Sequence, residues 1–168
     1  MAINSKSKGS TFERKLAKML SEWSGQEFHR TPMSGALHWA NDKRVISDIV
    51  PPQVLVDAGW PFSIEAKCVE CSWEFNTFME GTSVTLQQHW KQCYEDSQRE
   101  GLLPMLVFKK NRRDIYMMIT ESLFKELDIE PASYMTVKTQ SDTLVILKFT
   151  EFLSLISCDE ILGLQLFQ

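Results

Sequence analysis

The sequence predicts an α/β domain in which helices pack on a central mixed β-sheet. Two stretches place apolar residues at helical spacing, and several short apolar runs have the length of strands. The predicted order is α-β-β-β-α-β-β followed by tail elements, an order typical of helices packed on one sheet. At 168 residues the chain is long enough for one domain with a sizeable core, and too short for two ordinary domains.

The first helix is predicted to run from about residue 10 to Gly25. Ser10 and Glu13 have the spacing of a capping box, in which a hydroxyl and a carboxylate satisfy the free N–H groups at a helix start. Apolar side chains then recur on one face of this helix, namely Phe12, Leu16, Leu20 and Trp23.

Short strands are predicted over residues 28 to 30 and 45 to 50. The segment between them contains Pro, Ser, Gly and Asn without periodicity and is predicted as a loop. Two prolines end the second strand, because proline cannot donate to a β-ladder. After them, Gly59 begins a turn into an apolar strand over residues 62 to 68.

A second helix is predicted to begin within residues 81 to 85 and to end near Gly101, with one face formed by Leu86, Trp90, Cys93 and Ser97. Residues 103 to 108 and 115 to 119 are predicted strands. The basic turn between them carries Lys109, Lys110, Arg112 and Arg113. Its charge is equally compatible with a solvated hairpin and with a DNA contact.

The tail is predicted to add two short helices and a strand pair. Thr120 and Thr150 are each followed by Glu and are predicted N-caps. Residues 135 to 137 and 144 to 149 are the predicted strands.

The formal net charge of −4 argues mildly against a nucleic-acid partner, because phosphate binding relies on Lys and Arg. The charges are, however, unevenly distributed. Residues 1 to 30 carry six basic side chains against three acidic ones, whereas residues 121 to 168 carry three against eight. One end of the chain can therefore meet an anion while the other faces solvent or a partner.

No apolar run approaches membrane-spanning length, and the N-terminus lacks the apolar core of a secretory signal. We therefore expect a cytosolic protein. In that compartment the four cysteines would be thiols or metal ligands rather than disulfides.

The most informative feature is Asp48, followed after a short connection by an apolar strand that carries Glu65 and Lys67. Alternate side chains of a strand share a face, so Glu65 and Lys67 are predicted to point the same way. The two carboxylates are the hard oxygen ligands that Mg²⁺ prefers, and Lys67 could orient or deprotonate a water or neutralise phosphate charge. This is the minimal set for metal-assisted phosphodiester hydrolysis, although the same residue types also flank ordinary half-buried strands.

A second metal hypothesis concerns zinc. Cys68 and Cys71 form one pair and His89 and Cys93 another, with spacings that can chelate zinc. Against it, Cys93 lies on the apolar stripe of its helix, where a free cysteine packs as a small hydrophobe.

With these elements in order, the chain resembles the PD-(D/E)xK nuclease superfamily, and within it the archaeal-type Holliday junction resolvases, which phages also encode. The resemblance covers about residues 6 to 110. It rests on motifs in the family's order, namely Lys8-Gly9-Ser10, Phe12-Glu13-Arg14 with Leu16, Arg30, Ser34-Gly35, Asp48-Ile49, Ile64-Glu65-Ala66-Lys67, and Leu103-Pro104-Met105 through Lys109.

The resemblance implies a restriction-endonuclease-like fold, with residues 1–120 as the nuclease core and 121–168 as a C-terminal extension packed on the same domain. It implies that Asp48 and Glu65 are the metal ligands and Lys67 the catalytic lysine. Glu13 would be the helix-borne acid of the site, unless it is only the acid of the capping box. Ser34 would be an auxiliary loop residue near the scissile phosphate. The expected DNA contacts are Lys6, Lys8, Arg14, Lys15 and Arg30.

The expected function is that of a Mg²⁺-dependent endonuclease, with Mn²⁺ as a substitute, that cuts four-way (Holliday) junctions as a homodimer. One alternative is a nuclease of the same fold that acts on duplex, flap or single-stranded DNA, and another is a non-catalytic DNA-binding module. The strands around residues 103 to 119, or the tail after them, are the expected dimer surface, because their apolar runs exceed what one core should bury.

Overall fold

A computed structural model gives the structure of residues 5–31, 47–69, 84–110, 112–139 and 141–164. The helices are α1 (Ser5–Ser24), α2 (Gln53–Asp57), α3 (Val84–Glu100), α4 (Glu121–Leu127), α5 (Phe149–Leu155) and α6 (Cys158–Gly163). The strands are β1 (His29–Arg30), β2 (Ile49–Val50), β3 (Phe62–Val69), β4 (Leu103–Lys110), β5 (Ile115–Thr120), β6 (Tyr134–Lys138) and β7 (Thr143–Lys148). None of these helices combines the length and the apolarity needed to cross a bilayer.

Five strands form one mixed sheet in the order β3-β4-β5-β7-β6, and β1 and β2 form a separate antiparallel pair. β3 and β4 are parallel, with α3 in the crossover between them, and the other neighbours in the sheet are antiparallel. The predicted fold class, a mixed sheet flanked by helices, is confirmed.

Helices cover both faces of the sheet. On one face α1 packs on β3 and buries the apolar stripe formed by Phe12, Leu16 and Leu20. On the other face α3 buries Leu86, Trp90 and Cys93. The stripes predicted for both helices are therefore confirmed, and burial of each large apolar side chain contributes roughly 1.5–3 kcal/mol to holding the helices on the sheet.

Residues beyond position 120 take part in the same sheet, because β7 pairs with β5 on one side and β6 on the other. On the α1 side, the indole Nε1 of Trp23 donates a hydrogen bond of 2.9 Å to the carbonyl of Ile156. The Trp23 ring also contacts the rings of Trp60 and Phe152. The division of the chain at residue 120 stays a prediction.

The capping box predicted for the first helix is wrong. Within the described residues α1 begins at Ser5, so Ser10 and Glu13 lie inside the helix rather than at its start. The turn of α1 before Ser10 carries only polar residues and glycine, and the buried face of the helix begins at Phe12. The Glu13 carboxylate is consequently available for a tertiary contact.

The predicted caps in the tail have mixed outcomes. Thr120 is the N-cap of α4 and accepts a hydrogen bond from the N–H of Leu123, which confirms that prediction. Thr150 lies inside α5, whose N-cap is Lys148, so that prediction is wrong. An additional helix, α6, starts after Ser157, which forms a complete capping box with Glu160. Their Ser-x-x-Glu spacing is a start pattern that the sequence prediction had overlooked.

The strands around residues 103 to 119 do not offer the expected dimer surface. β4 and β5 are interior strands of the sheet, each paired on both sides. Their apolar side chains are almost inaccessible, with Leu106, Val107 and Met117 all 0% exposed. They are covered by helices of the same chain. Of the two dimer surfaces that the sequence suggested, the tail is therefore the one that is left.

Candidate active site

β3 is an edge strand of the five-stranded sheet, and Asp48 covers part of its outer edge. The backbone N–H of Asp48 donates to the carbonyl of Ile64 at 3.1 Å. In return, the backbone N–H of Ala66 donates to Oδ2 of Asp48 at 2.9 Å. The chain bends at Ser47 and Asp48, so a side-chain carboxylate takes the place of the carbonyl that a longer strand would offer. Asp48 is thereby held, buried, against the strand.

Glu65 and Lys67 project from the face of β3 that α3 covers. They are opposite Leu106 and Phe108 of β4, which belong to the apolar cluster under α3. The ammonium of Lys67 donates to Oε1 of Glu65 and lies 3.8 Å from Oδ2 of Asp48. The structure thus brings together the two acids and the lysine of the predicted motif.

The charges in this cluster shift the pKa values of Glu65 and Lys67. Burial, and then the negative charge of Asp48, raise the pKa of Glu65 to about 7, although Lys67 opposes the shift. Burial by itself lowers the pKa of Lys67, but the carboxylates of Glu65 and Asp48 outweigh it and hold that pKa above its ordinary value. Two acids at the edge of a low-dielectric core repel each other, so a further cation beside them would be stabilising.

Glu13 reaches the same cluster from α1. Its Oε2 forms an ion pair of 3.1 Å with Nε of Arg30 in β1, and among the described residues that N–H has no hydrogen-bond acceptor. Burial, and then the charge of Asp48, raise the pKa of Glu13, while Arg30 and Lys67 lower it. The charge of Asp48 therefore acts on Glu13. The role of Glu13 as the helix-borne acid of the site stays a prediction.

The other basic residues predicted to contact DNA are on α1. Arg14 and Lys15 are exposed and Lys8 is half-buried. The side chain of Lys6 and the whole of Ser34 lie outside the described residues, so their predicted roles stay predictions.

α3 brings further polar groups toward Glu65 and Lys67. Burial, and then the ammonium of Lys67, lower the pKa of His89. Asp96, two turns along the helix, adds to the negative potential that raises the pKa of Glu65. Asp96 was not predicted from the sequence, although its spacing of three residues from Cys93 places both on one side of the helix.

The zinc hypothesis gains no support from the described residues. Among them, no three His, Cys, Asp or Glu side chains are grouped so that they could hold a metal ion, and Cys71 lies outside them. Cys93 is packed in the apolar cluster under α3, where burial, and then the charge of Glu65, raise the pKa of its thiol far above the ordinary value. Such a thiol is a poor source of the thiolate that zinc requires.

The sequence of the whole chain identifies its family. The model of the family described as "Phage putative PDDEXK endonuclease" matches residues 4–163. The chain belongs to this phage PDDEXK endonuclease family. One relative is Protein D14 of Escherichia phage T5, which is 34% identical over an alignment of 119 residues that covers 67% of this chain and 68% of that protein.

Among solved structures, this member of the PDDEXK family is similar to Hjc, a Holliday junction resolvase from Archaeoglobus fulgidus. The TM-score is 0.41 with 15% sequence identity, over 91% of this chain and 97% of that one. The fold class follows from the observed sheet, and the family from the sequence match.

The donor set of this PDDEXK chain fits a small divalent cation with hard oxygen ligands. Mg²⁺ is usually held by one or two carboxylates and keeps several waters, so Asp48 and Glu65 suffice without a third acidic ligand. Burial, and then the charge of Asp48, raise the pKa of Glu65, and a bound cation would stabilise its charged form.

Proposed function

We propose that the chain is a Mg²⁺-dependent endonuclease that cuts DNA at four-way junctions as a homodimer. The observation that carries the proposal is the contact of Lys67 with both Glu65 and Asp48 at the edge of the sheet. Two carboxylates and an ammonium in one small site are suited to phosphodiester hydrolysis. Membership of a nuclease family supports the same chemistry.

In this proposal Asp48 and Glu65 hold the divalent ion, which can be Mg²⁺ or Mn²⁺. When bound, the ion supplies positive charge to the scissile phosphate and makes the attacking water more acidic. Because the pKa of Glu65 is about 7 without an ion, the cation must compete with a proton for this carboxylate near neutral pH.

Lys67 is proposed to orient the attacking water and to neutralise charge that develops on the phosphoryl oxygens. Its side chain is 24% exposed, so its ammonium can meet a phosphate that approaches the sheet edge. The two carboxylates raise its pKa and keep it protonated, which favours this role over that of a general base. Water attacks phosphorus, the bond to the 3′ oxygen breaks, and the product keeps a 5′-phosphate.

Around this centre, Arg30 is proposed as a phosphate contact and Glu13 as the acid that positions it. The Nε of Arg30 is already within 3.1 Å of Glu13, which leaves the outer nitrogens of the guanidinium as candidate phosphate donors. Ser34 is proposed to act from the loop beside the scissile phosphate.

The choice of a four-way junction rests on the resemblance of the motifs to junction resolvases. A junction has near two-fold symmetry, and a two-fold dimer would place one site at each of two opposed strands. One chain provides a single cluster of Asp48, Glu65 and Lys67, so paired incisions need two chains.

A substrate panel tests the proposal. The protein is incubated with a four-way junction, a flap, a duplex and a single strand of the same sequence, first with Mg²⁺ and then with EDTA. We expect paired nicks in the junction that require Mg²⁺ and are absent for Asp48→Asn. If the flap, the duplex or the single strand is cut preferentially, that DNA and not the junction is the substrate. Binding without cutting under every metal condition would instead support a non-catalytic module.

A further inference from the structure

The end of β4 and the turn that follows it, together called the basic turn, carry four cationic side chains close to the candidate active site, namely Lys109, Lys110, Arg112 and Arg113. β3 and β4 are parallel and in register, with Lys67 opposite Phe108 and Cys68 opposite Lys109. The turn therefore extends from the end of the sheet at which Lys67 lies.

Strand alternation places Lys110 on the same face as Lys67. Phe108 is the register partner of Lys67, and Lys110 is two residues further along β4. Two residues of a strand span about 7 Å, so Lys110 lies about that distance along the sheet from the position of Lys67.

Lys109 points to the opposite face, where it meets α1. Its Nζ lies 5.3 Å from the centre of the Phe12 ring, a cation–π contact. Phe12 immediately precedes Glu13, and Lys8 and Lys15 are its neighbours one helical turn away in each direction. The basic turn is thus continuous with the basic side of α1.

The positive charge of the turn is not cancelled by its own acid. Asp114 follows the turn directly, but its Oδ2 lies 2.9 Å from Nζ of Lys148. Lys110, Arg112 and Arg113 make no ion pair with any other part of the chain that the structure describes. In a chain with a net charge of −4, these residues form a local positive surface.

The backbone at Arg112 is a second, independent observation. This residue has a φ of 59°, in the left-handed region, while the N–H of Arg113 closes the turn on the carbonyl of Lys110 at 3.1 Å. A side chain with a Cβ is strained in that conformation, which glycine adopts freely. An exposed arginine at a position that favours glycine points to a use for its guanidinium.

We propose that Lys109, Lys110, Arg112 and Arg113 form a phosphate-binding surface that holds the DNA arm leaving the active site. The inference rests on the proposed function only in taking DNA as the substrate. Arginine forks and lysine ammonium groups on a turn suit the regularly spaced phosphates of a backbone and give no base specificity.

The test compares a triple variant, Lys110→Gln/Arg112→Gly/Arg113→Gln, with a control that removes three exposed cations elsewhere, Lys91→Gln/Lys125→Gln/Lys138→Gln. Binding to a labelled four-way junction and to a duplex is measured in EDTA over a salt series, so that no strand is cut. Three lost phosphate contacts should flatten the slope of log K against log salt by about 2.7 and weaken binding at least about tenfold at 0.1 M salt. The control should keep the wild-type slope.

The single variant Arg112→Gly separates a loss of DNA binding from a loss of folding. Removing the left-handed strain should leave the thermal midpoint unchanged or raised, while DNA binding weakens. Wild-type affinity and salt slope in both turn variants would overturn the inference, and so would an equal loss in the control. Failure of the proposed function is distinguishable, because a wild-type protein that binds DNA and never cuts it would still show the salt slope of this surface.

Discussion

The carboxylate of Asp48 accepts a hydrogen bond from the backbone N–H of Ala66 at 2.9 Å, across the outer edge of β3. Ala66 lies between Glu65 and Lys67, so this bond attaches the first acid of the site to the strand that carries the other two charges. All three groups are consequently positioned by a strand and its edge contact. That placement suits chemistry that depends on fixed distances.

Asp48→Asn should lower the cleavage rate by about 100-fold or more, because it removes one of two proposed metal-ligand charges. The amide oxygen of Asn can still accept the Ala66 N–H, so the fold and DNA binding should be retained. Cleavage kinetics and binding of uncut junction are the two measurements. A variant that cleaves at the wild-type rate in Mg²⁺ would show that the site is assigned to the wrong residues.

Glu65→Gln should change the pH dependence of stability as well as abolish cleavage. Folding raises the pKa of Glu65 from 4.5 to about 7, so between these pH values the folded state holds a proton that the unfolded state has lost. The stabilising effect is complete below pH 4.5 and is lost as pH rises toward 7. In EDTA the free energy of unfolding should therefore fall by up to about 1.4 kcal/mol per pH unit through that window.

Urea unfolding of the wild type and of Glu65→Gln is measured from pH 4.5 to 7.5 in EDTA. The difference between the two proteins gives the contribution of Glu65 to the pH dependence of the free energy of unfolding. The variant should lack most of the decline, because Gln does not titrate. Added Mg²⁺ should stabilise the wild type increasingly with pH, since the ion replaces the proton. Parallel curves for the two proteins would contradict the assigned shift.

Lys67→Ala should reduce the cleavage rate by about 100- to 1000-fold while metal binding persists. Without the ammonium, the pKa of Glu65 should rise further, because Lys67 is the group that lowers it. The affinity for Mn²⁺ should accordingly rise at a higher pH in the variant than in the wild type. Titration calorimetry with Mn²⁺ over a pH series can measure this. Loss of metal binding at every pH would instead make Lys67 a structural support of the carboxylates.

Arg30→Gln should destabilise the protein by about 1–2 kcal/mol, because it leaves the buried carboxylate of Glu13 without its cation. Glu13→Gln in the same background should recover part of that loss. A double-mutant cycle in urea gives the coupling free energy, which we expect near 1 kcal/mol. Strict additivity of the two single effects would mean that the 3.1 Å approach contributes nothing to stability.

The protein should be a homodimer of twice the 19.4 kDa chain mass at micromolar concentration. The interface is expected in the tail, where Tyr134 and Met135 on the edge strand β6 are 55% and 39% exposed. Light scattering on the wild type and on Tyr134→Glu/Met135→Lys tests both statements, since the charged pair should shift the mass toward that of one chain. A strict monomer, both free and on junction DNA, would argue for a nuclease that makes single incisions.

Much of the fold was accessible from the sequence because its patterns are local. The buried stripes of α1 and α3 follow from helical spacing, and β3, β4, β5, β6 and β7 from short apolar runs bounded by turn residues. Element starts were less accessible. Ser10 and Thr150 have the chemistry of N-caps yet lie inside helices. At Thr150 the reason is packing, because Phe149 before it is fully buried and is held in the helix.

Within the site, the sequence by itself determined that Glu65 and Lys67 share a face, since strand alternation involves neighbouring residues alone. Tertiary structure decided everything that depends on distant parts of the chain. It joined Asp48 to Ala66 eighteen residues later, brought Glu13 to Arg30, and placed Asp96 where its charge acts on Glu65. Burial at that meeting point raises the pKa of Glu65, because the energy of a charge depends on its dielectric surroundings, which sequence spacing does not specify.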